Sequence, residues 1–308
     1  MVINPAPVKE GKIPFIVGDE TFETYYKVFG DVESCADGAG PLIVLHGGPG
    51  MSHDYLSPLS DLASRSPSRA VIFYDQLGNG KSTHLLSKNP SFWTIDLFIA
   101  ELENVLAFFQ VANRFSILGH SWGGTLVSEF IVRRQPGGLR RLVLANALAS
   151  SKLRNEAIAS LLSGLPEDVQ AVFKKHEAAG LTKSEEYKAA MMTFWAKHGC
   201  RVQPFPPEFL YSISLADKDP TVVDAMRNGS AGFATSWDIT DRIQAMRHVP
   251  TLIISGEYDM ANSVCAPFYW GIDRVKWVKF ANSSHTPHWE ERERYMTVVG
   301  EFLDSGPA

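Results

Sequence analysis

Six short apolar segments, separated by stretches with helical periodicity, constrain the fold of this 308-residue chain more than any other feature. The segments are 42–45, 70–74, 115–118, 142–145, 251–255 and 275–280. Most are continuous apolar runs, which are typical of strands covered on both faces. Strands that alternate with helices predict an α/β protein with a mostly parallel sheet flanked by helices.

One long stretch breaks this alternation. Residues 150–235 carry helical patterns and a Pro-rich crossing at 204–207, but no convincing buried strand. Long insertions at loop positions cost little stability, so we interpret the stretch as a helical cap inserted into one α/β domain. The predicted organisation is a first core part over 1–149, the cap over 150–235, and a second core part over 236–308.

Charge and composition exclude several classes of function. The chain has 29 Lys and Arg against 34 Asp and Glu, a net charge of −5, which gives no basic surface for nucleic acid or an anionic membrane. It has no uncharged apolar run of about 18 residues, and residues 1–10 predict no signal peptide. Cys35, Cys200 and Cys265 fit neither a disulfide framework nor a zinc site. We expect a cytoplasmic globular protein with no nucleic-acid or membrane partner; the sequence does not indicate an oligomeric state.

The chemistry is predicted by a five-residue motif. Gly119-His120-Ser121-Trp122-Gly123 matches G-x-S-x-G and lies between an apolar strand segment and a helical pattern. In that context a sharp strand-to-helix turn exposes the serine hydroxyl, and the flanking glycines let neighbouring chain pass without a clash. The motif therefore predicts Ser121 as a nucleophile.

A serine nucleophile needs a base, and the base needs an acid to orient it. With this type of elbow the acid and then the histidine follow along the chain. The loop after the fifth strand segment offers Glu257 and Asp259, and the loop after the sixth offers His285. We predict Asp259 as the acid, although Glu257 is also near enough. We predict His285 as the base over His288, which we expect to face the cap or solvent.

An oxyanion needs two preorganised backbone N–H groups. The residue after the nucleophile, Trp122, supplies one. The loop His46-Gly47-Gly48-Pro49-Gly50 follows the first strand segment and supplies the other. Gly48 is the favoured donor and Gly47 the next, whereas Pro49 has no N–H to give.

Two other patterns are rejected. Gly80-Lys81-Ser82 resembles the end of a phosphate-binding loop, but Asp75 stands where the upstream glycine is required. The segment 285–290 contains two histidines and a glutamate, but their spacing is not that of a metal site.

The motifs together resemble the proline iminopeptidase family. They are His46-Gly-Gly-Pro-Gly50, Tyr74-Asp-Gln-Leu-Gly-Asn-Gly-Lys-Ser82, Gly119-His-Ser-Trp-Gly-Gly124, Gly256-Glu-Tyr-Asp259 and Ser284-His285. The resemblance implies an α/β-hydrolase fold with a helical cap and a serine peptidase activity. It implies cleavage of a small N-terminal residue, often proline, from peptides, arylamides or amino acid amides, with no metal and no cofactor.

The cap departs from the family pattern. Members that remove N-terminal residues carry cap glutamates for the substrate ammonium group, whereas this chain has Gly232 and Gln203 at the matching positions. Glu208 is a potential substitute. An unpaired buried ammonium is costly, so free-amine specificity is in question. The predicted pocket is more apolar than acidic, although cap aromatics also serve packing; it consists of Gly47, Gln203, Phe205, Gly232, Phe233 and Trp237.

Three functions follow from these observations. The first is a serine hydrolase acting on a small-molecule or short-peptide substrate, at an amide or peptide N-terminus. The second is hydrolysis or acyl transfer on an uncharged ester, lactone or amide, for example in secondary metabolism, which the missing cap acids favour. The third is a non-catalytic small-molecule receptor, against which the complete set of catalytic residues counts.

Overall fold

The computed structural model describes residues 9–33, 40–65, 69–228, 233 and 235–305. Within these ranges eight strands form one sheet: β1 Lys9–Val17, β2 Glu20–Phe29, β3 Leu42–Leu45, β4 Val71–Tyr74, β5 Phe115–His120, β6 Leu139–Ala145, β7 Thr251–Gly256 and β8 Val275–Phe280. Their order is β1-β2-β4-β3-β5-β6-β7-β8. The β1–β2 and β2–β4 pairs are antiparallel and the other five are parallel, which confirms the mostly parallel sheet.

Helices flank and extend this sheet. They are α1 Ile95–Phe108, α2 Trp122–Arg134, α3 Ser151–Ser163, α4 Glu167–Ala178, α5 Glu185–His198, α6 Pro207–Lys218, α7 Thr221–Asn228, α8 Ala266–Gly271, α9 Pro287–Glu290 and α10 Arg292–Asp304. They are joined by 3₁₀ helices at His53–Ser64, Pro90–Phe92 and Thr240–Met246.

Each face of the sheet carries its own apolar core, because successive side chains of a strand point to opposite faces. Ile43 and Leu45 pack with the apolar sides of α1, α2 and α8. Leu42 and Val44 pack on the other face, with the 3₁₀ helix His53–Ser64 and α10. The continuous apolar runs of the central strands follow from this double coverage.

The inserted helical region comprises α3 to α7, which lie between β6 and β7 in the chain. The Pro-rich crossing leads directly into α6, where Pro207 occupies the first helical position. Proline is accepted there because its missing N–H has no intrahelical acceptor to lose. The domain boundaries at 150 and 235 stay a prediction.

Two sequence expectations concern membrane spans and thiols. Over the ranges given above, the longest apolar helices fall short of what is needed to cross a bilayer. Cys200 and Cys265 are buried free thiols, and Cys35 lies outside the described residues.

Candidate active site

Ser121 lies at the turn between β5 and α2, with φ +54° and ψ −119°. Residues with a side chain rarely adopt this φ. The backbone packs this closely only because the flanking residues are glycines. A Cβ at Gly119 would lie 2.5 Å from the Gly123 carbonyl oxygen, and a Cβ at Gly123 would clash with the backbone of β3. Ser121 is partly exposed, whereas His120 and Trp122 are buried. The elbow therefore presents the serine and hides its neighbours.

Asp259 and His285 form a buried hydrogen-bonded pair. The Nδ1–H of His285 donates to Oδ1 of Asp259 at 2.7 Å, and the backbone N–H of Ala261 donates to the same oxygen at 2.9 Å. The other carboxylate oxygen accepts a hydrogen bond from the Asn146 side-chain amide at 2.7 Å. A neutral imidazole that donates through Nδ1 keeps a lone pair on Nε2, which is the form that a general base requires.

The two acids of this loop have different surroundings. Glu257 is exposed and forms an ion pair with Lys279 at 3.4 Å. Asp259 is 3% exposed and faces the histidine. Of the two acids that the sequence leaves within reach, the structure brings Asp259 to His285.

The expectation that His288 faces the cap or solvent is wrong. His288 is completely buried, its Nε2–H donates to the carbonyl oxygen of Tyr55 at 3.0 Å, and its ring contacts those of His120 and Tyr295. Burial lowers the pKa of His288 to about 3, so the imidazole is neutral. A neutral ring whose N–H has a carbonyl partner is accepted in the core, which explains its position.

The elbow and the histidine loop are in direct contact. Nε2 of His120, the residue before Ser121, donates to the carbonyl oxygen of His285 at 2.7 Å, and the two rings are 4.8 Å apart. Ser121, Asp259 and His285 follow the carboxyl ends of β5, β7 and β8. Open α/β sheets build their sites at this edge.

The glycine loop lies beside the serine. A Cβ at Gly47 would be 3.0 Å from Cβ of Ser121 and 2.8 Å from the Tyr55 hydroxyl, so this position requires glycine. The Gly47 N–H already donates to Tyr55 Oη at 2.8 Å and is not available to a substrate. Gly48 is partly exposed with φ +117°, and the N–H of Trp122, the first residue of α2, has no intrahelical acceptor. Gly48 and Trp122 stay the predicted oxyanion donors.

Gln76 is a site residue to which sequence reasoning assigned no role. Its amide Nε2 donates to the His46 carbonyl oxygen at 2.9 Å, and its Oε1 accepts from the indole Nε1–H of Trp122 at 2.8 Å. One side chain thus ties the glycine loop to the start of α2. The only sequence signal was the motif 74–82, which entered through the family resemblance.

Asn146 is a second residue that sequence reasoning missed. It follows β6 directly with φ +53°, and its amide donates to Asp259 and to the carbonyl oxygen of Ser284 at 3.2 Å. It therefore joins the acid loop to the histidine loop. Its position just after a strand, like those of the acid and histidine loops, was the available signal.

In the part of the chain that the structure describes, no three His, Cys, Asp or Glu residues are grouped so that they could hold a metal ion. A reaction without metal or cofactor remains an expectation from the sequence.

Comparison with known proteins identifies the family. A family model described as alpha/beta hydrolase fold matches residues 40–292. The chain is 31% identical over 313 aligned positions to a proline iminopeptidase of Lactobacillus delbrueckii subsp. bulgaricus, and the match covers 97% of this chain and 98% of that one. The chain belongs to the proline iminopeptidase family. The resemblance drawn from the motifs is confirmed.

Two solved structures of similar proteins match nearly the whole length of this chain. A proline iminopeptidase of Mycobacterium smegmatis is 38% identical with a TM-score of 0.84, covering 96% of this chain and 97% of that one. The structure of VinJ is 40% identical with a TM-score of 0.89, covering 97% and 99%. The α/β-hydrolase fold with its inserted helices is thereby confirmed.

Phe233 and Trp237, two of the predicted pocket residues of this proline iminopeptidase family member, have distinct surroundings. The Phe233 ring packs edge-on against the Trp122 ring, with centroids 4.6 Å apart. Trp237 lies behind Phe233, and its indole N–H donates to the buried Glu129 carboxylate of α2 at 2.8 Å. Phe233 therefore packs on the residue that follows Ser121, whereas the indole N–H of Trp237 is bound to α2 within the core.

Two other predicted pocket residues, Gln203 and Phe205, lie at the Pro-rich crossing of the cap. Phe205 is partly buried and stacks on Phe209 with centroids 5.5 Å apart, while Gln203 is exposed. Gly232 lies outside the described residues. Their roles in substrate binding stay predictions.

The C-terminal end of α5 anchors the cap on the loops that carry Asp259 and His285. Three hydrogen bonds make this connection: Nδ1–H of His198 to the Tyr258 carbonyl oxygen at 2.7 Å, Oγ1–H of Thr286 to the Gly199 carbonyl oxygen at 3.0 Å, and the Arg201 backbone N–H to Glu290 at 2.6 Å. Tyr258 and Thr286 are the sequence neighbours of Asp259 and His285. The cap is therefore held directly beside the acid and the histidine.

Proposed function

We propose that this protein is a serine hydrolase that works through an acyl-enzyme on Ser121. The observation that carries the proposal is the 2.7 Å hydrogen bond between His285 and Asp259, together with the hydrogen bond through which His120 of the serine elbow holds the histidine loop. A partly exposed serine, a histidine and a buried acid at one edge of the sheet are the components of nucleophilic acyl transfer.

Each residue of the site has a distinct role in the proposed reaction. Nε2 of His285 takes the hydroxyl proton as Ser121 attacks the substrate carbonyl carbon, and then returns the proton to the leaving amine or alcohol. Water repeats the sequence on the acyl-enzyme and releases the acid. Asp259 keeps the proton of the imidazole on Nδ1, and the N–H groups of Gly48 and Trp122 stabilise the oxyanion.

The leading substrate class is a small amide or a peptide N-terminus. Family membership supports it, since the Lactobacillus and Mycobacterium relatives are named proline iminopeptidases. Labelling with a fluorophosphonate probe, followed by mapping of the modified residue, tests the serine hydrolase proposal. Absence of labelling on Ser121 would favour a non-catalytic receptor.

A second substrate class is an uncharged ester, lactone or amide, on which the enzyme would act by hydrolysis or acyl transfer. Two cap positions favour it, because Gly232 and Gln203 stand where amine-binding relatives carry acids. Gln203 is also exposed. An ammonium that enters an apolar pocket loses hydration worth several kcal/mol, which a carboxylate would offset.

We therefore expect a preference for uncharged acyl groups. The kcat/KM for N-acetylprolyl arylamide should exceed that for free prolyl arylamide by about tenfold or more, because each 1.4 kcal/mol of uncompensated desolvation is a factor of ten. Steady-state kinetics at pH 7 on both compounds, with simple esters in parallel, measures this ratio.

The matched variants are Gly232→Glu and Gly232→Gln, which add similar volume with and without charge. Glutamate should shift the ratio toward the free amine, and glutamine should not. A wild-type enzyme that clearly prefers the free prolyl compound contradicts this expectation and establishes ordinary iminopeptidase activity.

A further inference from the structure

We propose that Tyr55, on the 3₁₀ helix His53–Ser64, is a positioning residue for the active site. Its hydroxyl joins Gly47 of the glycine loop to His120 of the elbow, and His120 holds the backbone of His285. The inference rests on the proposed function, because the groups that Tyr55 aligns are those of the acyl-transfer reaction. Tyr55 itself does not touch the reacting atoms in this assignment.

The connection is a continuous chain of buried hydrogen bonds. The Gly47 N–H donates to Tyr55 Oη at 2.8 Å, the Tyr55 hydroxyl donates to Nδ1 of His120 at 2.7 Å, and Nε2–H of His120 donates to the His285 carbonyl oxygen at 2.7 Å. Tyr55 and His120 are each 1% exposed. The chain thus links the loops that follow β3, β5 and β8.

Each proton in this chain of hydrogen bonds can be assigned to one atom. The carbonyl oxygen of His285 can only accept, so Nε2 of His120 carries a proton. Burial holds the pKa of His120 well below its usual value, which leaves Nδ1 as a lone-pair acceptor. Burial raises the pKa of Tyr55, so its hydroxyl stays protonated and donates. Because every donor meets an acceptor, the chain favours one arrangement of the three loops.

The backbone of Tyr55 is fixed from two other sides. Its carbonyl oxygen accepts from Nε2–H of His288 at 3.0 Å and from Nε1–H of Trp289 at 2.6 Å, both on α9. Its N–H donates to Oγ of Ser212 on α6 at 3.2 Å. The hydroxyl is therefore held relative to the cap and to the short helix that begins just after His285.

Removing the hydroxyl leaves two buried groups without their partner, the Gly47 N–H and Nδ1 of His120. Both would turn toward another partner or remain unsatisfied, which is unfavourable in a buried site. A turn of the Gly47 peptide changes the direction of the adjacent Gly48 N–H. A displacement of about 1 Å of a catalytic group costs about 10²-fold in rate. We therefore expect the loss of the hydroxyl to lower kcat.

The test compares Tyr55→Phe with Tyr295→Phe. Tyr295 is also a fully buried tyrosine, on α10, and within the described residues its hydroxyl has no hydrogen-bond partner. We expect Tyr55→Phe to lower kcat and the rate of fluorophosphonate labelling by about 10- to 100-fold while KM changes by less than about threefold. Tyr295→Phe should keep wild-type values. Equal kcat and labelling rates in Tyr55→Phe and wild type would overturn the inference.

A second variant covers the case in which Tyr55→Phe does not fold. His120→Asn keeps an acceptor for the Tyr55 hydroxyl and loses the donor to His285, so it should also slow labelling by about tenfold or more. Where Tyr55→Phe folds, the losses in the double variant Tyr55→Phe/His120→Asn should be far from additive, because both substitutions break one chain. Full additivity, or a normal labelling rate in His120→Asn, contradicts the inference. A wild-type protein that is not labelled on Ser121 refutes the proposed function itself, and the inference falls with it.

Discussion

Replacement of Ser121 by alanine should abolish hydrolysis while the protein stays folded. Without Oγ no acyl-enzyme forms, and loss of the nucleophile in a serine triad costs about 10⁶-fold in kcat because its members act as a unit. Alanine keeps the Cβ of serine, so the φ of +54° at the elbow is no more strained in the variant. The measurements are kcat on the best arylamide or ester, fluorophosphonate labelling, and the thermal unfolding midpoint.

The matched control is Ser128→Ala, two turns further along α2. Ser128 is buried and donates to the Gly124 carbonyl oxygen at 2.7 Å within its own helix, so its loss should leave kcat unchanged. Substantial turnover in purified Ser121→Ala, at an unchanged unfolding midpoint, would mean that another group carries the reaction.

The central sheet could be predicted from the sequence because both of its faces are covered. Double coverage makes each central strand a continuous apolar run, and the six predicted segments match β3 to β8 with ends that differ by at most three residues. The strand–helix alternation then fixes the parallel arrangement, and the elbow motif marks the edge where a site forms.

The β1–β2 hairpin was not predicted, because it lies at the edge of the sheet. In β1, buried Ile13 and Phe15 alternate with exposed Lys12 and Pro14, a two-residue period that a search for continuous apolar runs passes over. Gly18, with φ +60°, makes the turn into β2.

The polar groups around the site were beyond sequence reasoning for a different reason. Tyr55, Gln76 and Asn146 are ordinary residue types far apart in the chain, and their importance comes from which loops meet in space. His288 shows the same limit, since its burial depends on a carbonyl partner more than two hundred residues away. The roles of Ser121, Asp259 and His285 as a triad stay a prediction until the variants are measured.

The hydrogen bonds of Asp259 make an asparagine in its place unfavourable for catalysis. Oδ1 accepts from His285 and Ala261, and Oδ2 accepts from Asn146, so every neighbour of the carboxylate is a donor. An asparagine has one acceptor oxygen and must turn its NH₂ toward one of these donors. If the NH₂ faces His285, the imidazole proton moves to Nε2, and the ring can no longer take the proton of Ser121.

Asp259→Asn should therefore fold and lose up to about 10⁴-fold in kcat, the cost of the wrong imidazole tautomer in a serine triad. Glu257→Gln is the matched control from the same loop: it removes an exposed ion pair with Lys279 and should leave kcat near the wild-type value. Steady-state kinetics on both variants, with unfolding midpoints, decides between the two acids. If Glu257→Gln abolishes activity and Asp259→Asn is active, the acid of the reaction is Glu257. The buried Asp259–His285 pair then has only a structural role.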